Sequence, residues 1–231
     1  MFPDLENGGL LLVDKPIGWT SFDVVGKLRG ALNAFAGRRV KVGHAGTLDP
    51  LASGLLVLAY GPRTKELPDL TGLDKTYEGT LTRGEVTPSY DRETEVSERK
   101  AWTHIGREQV KKALDHFTGP QLQRPPLYSA KRHKGERGYH LAREGAKVKM
   151  EPVPVTVHEL MLLGIEGQEV HFRAVVSKGT YIRSLAHDIG AALGCGAHLS
   201  ALRRTRIADL DLADALPPLE WSERIAPLGR K

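Results

Sequence analysis

Apolar residues along this chain come in short bursts with two different periods. The stretch "GGLLLVDKP" is continuously apolar and stops at Pro16, which predicts a short buried strand. From Thr20 the period lengthens. Phe22, Val25, Leu28, Leu32 and Phe35 recur every three or four positions and predict one inward face of a helix. Thr20, with Asp23 three residues on, has the form of a capping box at its start. The almost unbroken run Leu55 to Tyr60 predicts another buried strand, and "KTYEGTLTRGEV" predicts a strand near a sheet edge. "REQVKKALDHFTGP" reads as a second helix, with Val110, Ala113, Leu114 and Phe117 inward and a Gly-Pro stop. In "VTVHELMLLGIEGQEVHFRAVVSKG", Val170, Phe172, Ala174 and Val176 alternate with Glu169, His171 and Arg173, which predicts a hairpin turning at Glu166-Gly167. "TYIRSLAHDIGAALG" predicts a third helix closed by Gly194.

Strands outnumber helices and hairpins outnumber βαβ units. The expected fold is α+β, a mixed and largely antiparallel sheet flanked by helices. The segment 122–150 has the weakest core pattern and the highest charge, and reads as an insertion between core elements.

Composition narrows this picture little, but the location of charge narrows it more. The 231 residues suit one large domain, or one with an appendage. A single cysteine, Cys195, allows no intramolecular disulfide and fits a reducing compartment. No apolar run approaches the roughly 18 residues of a membrane span, and the N-terminus lacks a signal-peptide pattern, so a cytoplasmic protein is expected. The net charge is +5. Between Arg124 and Lys149 eight Lys or Arg stand against two Glu, so this one segment carries about all of the excess. Tyr128, His133, Tyr139 and His140 are interleaved with those cations in "RPPLYSAKRHKGERGYHLAREG". Cations meet phosphates and flat rings stack on unpaired bases, so the pattern points to RNA.

Three further stretches could carry chemistry. In "KVGHAGTLDPLASGLLVLAYG" a carboxylate, Asp49, sits in a glycine-punctuated turn that feeds straight into a strand. An Asp-Pro pair is a common turn initiator; a rigidly held carboxylate at the floor of a site is the other reading. The stretch lacks the Gly-Lys-Ser/Thr ending of a phosphate loop. Neither His44 with Asp49 nor Cys195 with His198 supplies the three or four ligands of a zinc site, so no metal is expected. In "SKGTYIRSLAHDIG", Arg183 lies in the first turn of a helix, against the macrodipole. It therefore needs a carboxylate partner, for which Asp49 is a candidate. Tyr77 in "KTYEGTL" packs in the core by default.

Taken together and in this order, the stretches resemble the TruB family of pseudouridine synthases. "LLVDKPIGWTSFDVV" is similar to the family's N-terminal motif, "KVGHAGTLDPLASGLL" to its catalytic motif and "KTYEGTL" to its tyrosine strand. "RPPLYSAKRHKGERGYHLAREG" is similar to its RNA-gripping insertion and "SKGTYIRSLAHDIGAALGCGAHLSALRR" to its C-terminal motif. The resemblance implies the pseudouridine synthase fold over 1–206, with 122–150 as an RNA-binding insertion. It implies that Asp49 is the catalytic aspartate and that His44 shapes the path of an extruded nucleotide. Tyr77 and Tyr181 would lie against the target base, Arg183 would pair with Asp49, and Leu202 would line the pocket. Lys131, Arg132, Lys134, Arg137 and Tyr139 would hold RNA. The implied substrate is the T-loop uridine of tRNA, position 55 in tRNA numbering. No cofactor is implied, and a monomer is expected.

Two departures stand out. Where the family reads Thr-Asp-Thr, then an Asp and a Gly, this chain has "TPSYDRETEV": Asp91 is in place, whereas Pro88, Tyr90 and Thr94 are atypical. Only 25 residues follow Arg206, fewer than the small C-terminal RNA-binding domain that members commonly carry would need.

The implied reaction breaks the N1–C1′ bond of uridine, turns the base and rejoins it through C5. An ionised carboxylate beside C1′ can act as nucleophile, as electrostatic stabiliser or as base on the sugar. All three routes remain open to Asp49, with Arg183 lowering its pKa and fixing its direction. The base must leave the stack, at a cost of a few kcal/mol that tyrosine stacking offsets. A non-catalytic RNA-binding module or chaperone on the same fold is the competing class. It explains the basic insertion but not Asp49 and Arg183 together. A metal-dependent nuclease lacks ligands.

Overall fold

The structure is a computed structural model and describes residues 4–129, 132–133, 136–137, 148 and 150–225. The chain divides into two compact units, 1–77 with 202–231 and 78–201.

The first unit is built around a strand buried at every residue but Ser53, β3 (Ala52–Tyr60). β1 (Gly9–Lys15) lies antiparallel along one edge of it, from Gly9 opposite Tyr60 to Lys15 opposite Gly54. β2 (Val42–Ala45) pairs antiparallel with its second half. The latter part of β12 (Ala197–Ile207) runs parallel to its start, Leu202 to Arg204 opposite Ala52 to Gly54. Gly54 has a φ of 101° and lies against the Arg204 backbone, where a Cβ would overlap the Arg204 carbonyl. Only glycine allows this parallel contact.

Helix α1 (Ser21–Ala36) covers one face. Its Thr20 side chain caps the Asp23 N–H, the Asp23 carboxylate accepts from the Thr20 N–H, and Gly37 closes it in the left-handed conformation. Val24, Val25, Leu28, Ala31 and Leu32 pack on Leu11, Val13, Leu56 and Leu58. Phe22, expected on this face, is instead 67% exposed, with the Arg29 guanidinium 5.7 Å from its ring centre. The buried stripe centres on Leu28, and six residues at about 100° each put Phe22 roughly 120° away from it. A short helix α2 (Leu67–Gly72) and, after β12, the strand β13 (Leu210–Asp211) and the helix Pro218–Ile225 complete this unit.

The second unit holds β4 (Lys75–Arg83, begun in the first unit), which lies between β12 and β11 (Glu169–Val176). β4 is thus an interior strand, not the expected edge strand. Its alternation was blurred because both faces are mostly covered. β10 (Val153–Glu166) and β11 form the expected hairpin, turning after Glu166, with Gly167 at a φ of 56°. β7 (Gly119–Gln123) adds to β10. Helix α3 (Arg107–His116) buries Val110, Ala113 and Leu114 as expected. Helix α4 (Ile182–Ala192) follows the hairpin, and Gly194 beyond it has a φ of 79°. Small ribbons join β5 (Glu85–Val86) to β6 (Glu98–Arg99) and β8 (Arg132–His133) to β9 (Glu136–Arg137). The architecture is α+β with largely antiparallel pairing, as expected. Among the described residues no helix is long and apolar enough to cross a membrane.

Candidate active site

Asp49, His44, Tyr77 and Leu202 belong to the first unit, Tyr181 and Arg183 to the second. Asp49 stands on the connection from β2 to β3. Gly46, with a φ of 83°, turns the chain out of β2. The following backbone is tied down on three sides. The Ser21 hydroxyl donates to the Leu48 carbonyl at 3.1 Å and accepts from the Leu48 N–H at 2.9 Å. The Gly18 N–H donates to the Pro50 carbonyl at 2.8 Å, and the Ala52 N–H to the Asp49 carbonyl at 3.0 Å. The Asp49 backbone is thus anchored to the start of α1, to the turn after β1 and to the start of β3. The turn reading of Asp-Pro is correct, and the turn is also a rigid mount.

Two buried cations surround this mount. Lys15 is wholly buried and donates to the Pro16 and Trp19 carbonyls at 2.9 and 2.7 Å. Burial pulls its pKa down to about 8; the Asp49 charge opposes that fall and the Arg204 charge adds to it. Arg204, 1% exposed, donates from Nε to the Leu55 carbonyl at 2.7 Å and from Nη2 to the Gly46 carbonyl at 3.0 Å. Its Nη1 lies 3.5 Å from the Tyr77 hydroxyl. One guanidinium therefore links the Gly46 turn, the centre of β3 and Tyr77. His44 is held neutral: burial lowers its pKa first, the Arg204 charge lowers it further, and its buried Nδ1 has no hydrogen-bond partner. Leu202, opposite Ala52, sits three residues beyond Asp49 in register.

In the second unit Tyr181 is the N-cap of α4. The Gln123 amide accepts from its N–H at 2.7 Å and donates to its carbonyl at 3.1 Å. Arg183 is 4% exposed, and its Nε lies 3.5 Å from Asp91 Oδ2, with Nη1 donating to the Ser89 carbonyl at 3.3 Å. The carboxylate demanded by an arginine at a helix N-terminus is therefore met within this unit by Asp91, from the atypical loop. Hydroxyls shape that loop: Thr87 Oγ1 donates to the Asp91 carbonyl at 2.6 Å, and Ser89 Oγ pairs with Thr94 Oγ1 at 2.9 Å.

Lys131, Lys134 and Tyr139 lie outside the described residues. Of Arg132 and Arg137 the backbone is described, paired with each other across β8 and β9. Sequence reasoning missed Lys15, Arg204 and Ser21. Lys15 left a faint trace, since it continues the buried alternation of Leu11 and Val13. Nothing in "LRRTR" marked Arg204 out from Arg203. Among the described residues no three His, Cys, Asp or Glu side chains gather to hold a metal ion.

A carboxylate on a backbone-anchored turn beside two buried cations, within a largely antiparallel α+β fold, is suited to act on a developing positive charge at a sugar carbon. The family models give the class of protein, a pseudouridylate synthase. The model of the TruB family pseudouridylate synthase N-terminal domain matches residues 33–182, and that of the tRNA pseudouridylate synthase B C-terminal domain matches 183–218. The chain belongs to the TruB family and is an isomerase. It is similar to the tRNA pseudouridine synthase B of Chloroherpeton thalassium, with 46% identity over 95% of this chain and 91% of that one. The enzyme of the same name from Bacteroides fragilis is 44% identical, over 96% of each chain. Among solved structures, a chain of a Cbf5-Nop10-Gar1 complex aligns with a TM-score of 0.70 and 32% identity over 94% of this chain. A chain of an H/ACA RNP bound to a substrate RNA containing 2′-deoxyuridine aligns with a TM-score of 0.63 and 30% identity over 90% of this chain. This chain spans 56% and 49% of the length of those two.

Proposed function

We propose that this pseudouridine synthase isomerises the T-loop uridine at position 55 of tRNA, with Asp49 as its catalytic carboxylate. The observation that carries the reading is the mount of Asp49, a turn anchored at Leu48, Asp49 and Pro50 beside Lys15 and Arg204. The relatives' name, tRNA pseudouridine synthase B, supports the substrate. The N1–C1′ bond breaks, the C5–C1′ bond forms, a proton leaves C5 and N1 takes one up, so the reaction needs no redox partner. Positive character on C1′ is met by the ionised Asp49. The extruded base lies against Tyr77 and Tyr181, with neutral His44 shaping its path and Leu202 closing the pocket. Arg183 acts on Asp49, directing the carboxylate. Lys131, Arg132, Lys134, Arg137 and Tyr139 grip the T arm, mostly through phosphates. The enzyme works as a monomer in the cytoplasm without a cofactor.

The test is tritium release from tRNA carrying 5-tritiated uridine, with chelator present. Asp49→Asn should bind tRNA within about a few-fold of wild type while losing at least about three decades of rate. Release by the variant near the wild-type rate refutes the assignment of Asp49. No release by the wild type, with tRNA binding intact, makes the chain a binding module instead.

A further inference from the structure

We propose that Gln123 is a positioning residue that sets the direction of Tyr181. This rests on the reading that Tyr181 lies against the target base. Every contact in the argument lies within the second unit.

Gln123 ends β7 and is wholly buried. A primary amide carries an acceptor and two donors side by side. Tyr181 is extended, with a φ of −95° and a ψ of 109°, so its N–H and its carbonyl open to the same side. The amide meets both. Its oxygen accepts from the Tyr181 N–H at 2.7 Å, and its nitrogen donates to the Tyr181 carbonyl at 3.1 Å. The reverse orientation of the amide would set donor against donor. Together the two bonds fix the peptide planes before and after the Tyr181 Cα, and with them the direction in which the ring leaves the backbone.

Helix capping does not account for the pair. The Thr180 hydroxyl turns back to the Ser177 carbonyl at 2.9 Å. Ser184 stands at the third helical position, where a capping box places Glu or Gln, and its hydroxyl donates instead to the Arg124 carbonyl at 2.7 Å. The amide oxygen of Gln123 takes the part of that missing Glu or Gln. The amide nitrogen does not. It donates to a carbonyl that the helix already uses, since the Leu185 N–H reaches the same oxygen at 3.1 Å. A cap needs only an acceptor, so the second bond acts on the orientation of Tyr181.

A group that positions another must itself be held. Gln123 pairs with Val153 in the ladder between β7 and β10. Ser184 holds the carbonyl of the next residue, Arg124, whose Nη1 donates to the Met150 carbonyl at 2.6 Å. Arg124 and Met150 stand at the two ends of the basic insertion. The end of β7, the base of that insertion and the first turn of α4 therefore form one hydrogen-bonded frame. The tyrosine that meets the base is placed from the root of the segment that grips the RNA.

The experiment measures kcat and KM for tRNA, with the melting temperature, for Gln123→Met, Tyr181→Ala and the double variant, with Asp49→Asn beside them. Gln123→Met should lower kcat about tenfold while KM stays within about threefold. In the Tyr181→Ala background the same change should cost less than about twofold, because the ring that Gln123 directs is already gone. A general loss of packing would lower kcat by the same factor in both backgrounds. Gln123→Glu keeps the acceptor for the Tyr181 N–H, and it carries the same cycle if Gln123→Met does not stay folded at the assay temperature. Wild-type kcat in the Gln123 variant with Tyr181→Ala slow overturns the inference alone. So does an equal factor in the two backgrounds, or an effect on KM alone, which makes Gln123 a support of the RNA grip. Normal kcat in Tyr181→Ala with Asp49→Asn inactive removes the reading of Tyr181, and the inference falls with it.

Discussion

Two segments of this chain present an aspartate in a turn, and they hold it by different means. The turn at Asp49 is fixed through its backbone. Leu48, Asp49 and Pro50 each take part in a hydrogen bond with a different element, and the Gly46 carbonyl is gripped by buried Arg204. The loop at Asp91 is fixed largely through side chains. Thr87, Ser89 and Thr94 close it with hydroxyls, and Tyr90 adds a ring stacked on His187. Asp91 also uses one carboxylate oxygen to cap the Glu93 N–H. Anchoring at the turn's own backbone survives changes of the turn's own side chains, though not of Ser21 or Arg204, whereas the Asp91 loop depends on hydroxyls and a ring that it supplies itself. The first arrangement suits a carboxylate that must be tightly placed, and the second suits a supporting one.

The largest expected effect separates the two carboxylates themselves. Asp49→Asn should remove at least about three decades of rate, roughly 4 kcal/mol, whereas Asp91→Asn, acting through Arg183, should cost about one to two decades. Single-turnover rates on 5-tritiated tRNA decide it, and equal losses would end the distinction between reacting group and support.

Next comes Arg204→Met. It leaves the Gly46 and Leu55 carbonyls without their donor inside the first unit, so a loss of about 3 kcal/mol of stability is expected, read from the denaturant midpoint. A loss under about 1 kcal/mol would mean that the turn does not depend on this guanidinium.

A smaller effect follows from Ser89→Ala in the loop. Its hydroxyl accepts the Thr94 N–H and donates to the Asp91 carbonyl. About 1 kcal/mol of stability should go with it, with a drop in kcat but not in tRNA affinity.

The smallest effects are slopes with pH, and they carry opposite signs in the two units. Lys15 has its pKa lowered from 10.5 to about 8, chiefly by burial, so the folded state resists its charge. Between about pH 8 and 10.5 the unfolded chain binds more protons, and the stability of the wild type should rise with pH relative to Lys15→Met. Asp188 is raised from 3.8 to about 6 by burial, against the pull of Arg124. Between about pH 3.8 and 6 the folded chain binds more protons, so stability should fall with rising pH relative to Asp188→Asn. Urea melts at closely spaced pH values test both. A shared sign would show that one of the two burial effects has been misassigned.

What the sequence determined by itself was local. Thr20 with Asp23 set the start of α1, Gly37 its end, and the alternation around Glu166-Gly167 set the hairpin. Gly46 and Asp49-Pro50 marked a turn into an apolar strand, and the order of motifs carried the family. These signals lie within a few residues of what they control, because caps, turns and side-chain periods act at that range. The tertiary structure decided what covers each face and which charges are buried. Phe22 satisfied a helical spacing yet faces outward, since the centre of the buried stripe depends on where the sheet lies. β4 looked like an edge strand until β11 and β12 flanked it. Nothing in the sequence singled out Lys15 or Arg204, both buried, and Asp91 gave no sign that it meets Arg183. Most of these depend on partners distant in sequence, Arg204 on the Gly46 and Leu55 carbonyls and Asp91 on Arg183. A local pattern records that a side chain is apolar or charged, but the free energy of burying it is set by the neighbour that folding brings to it.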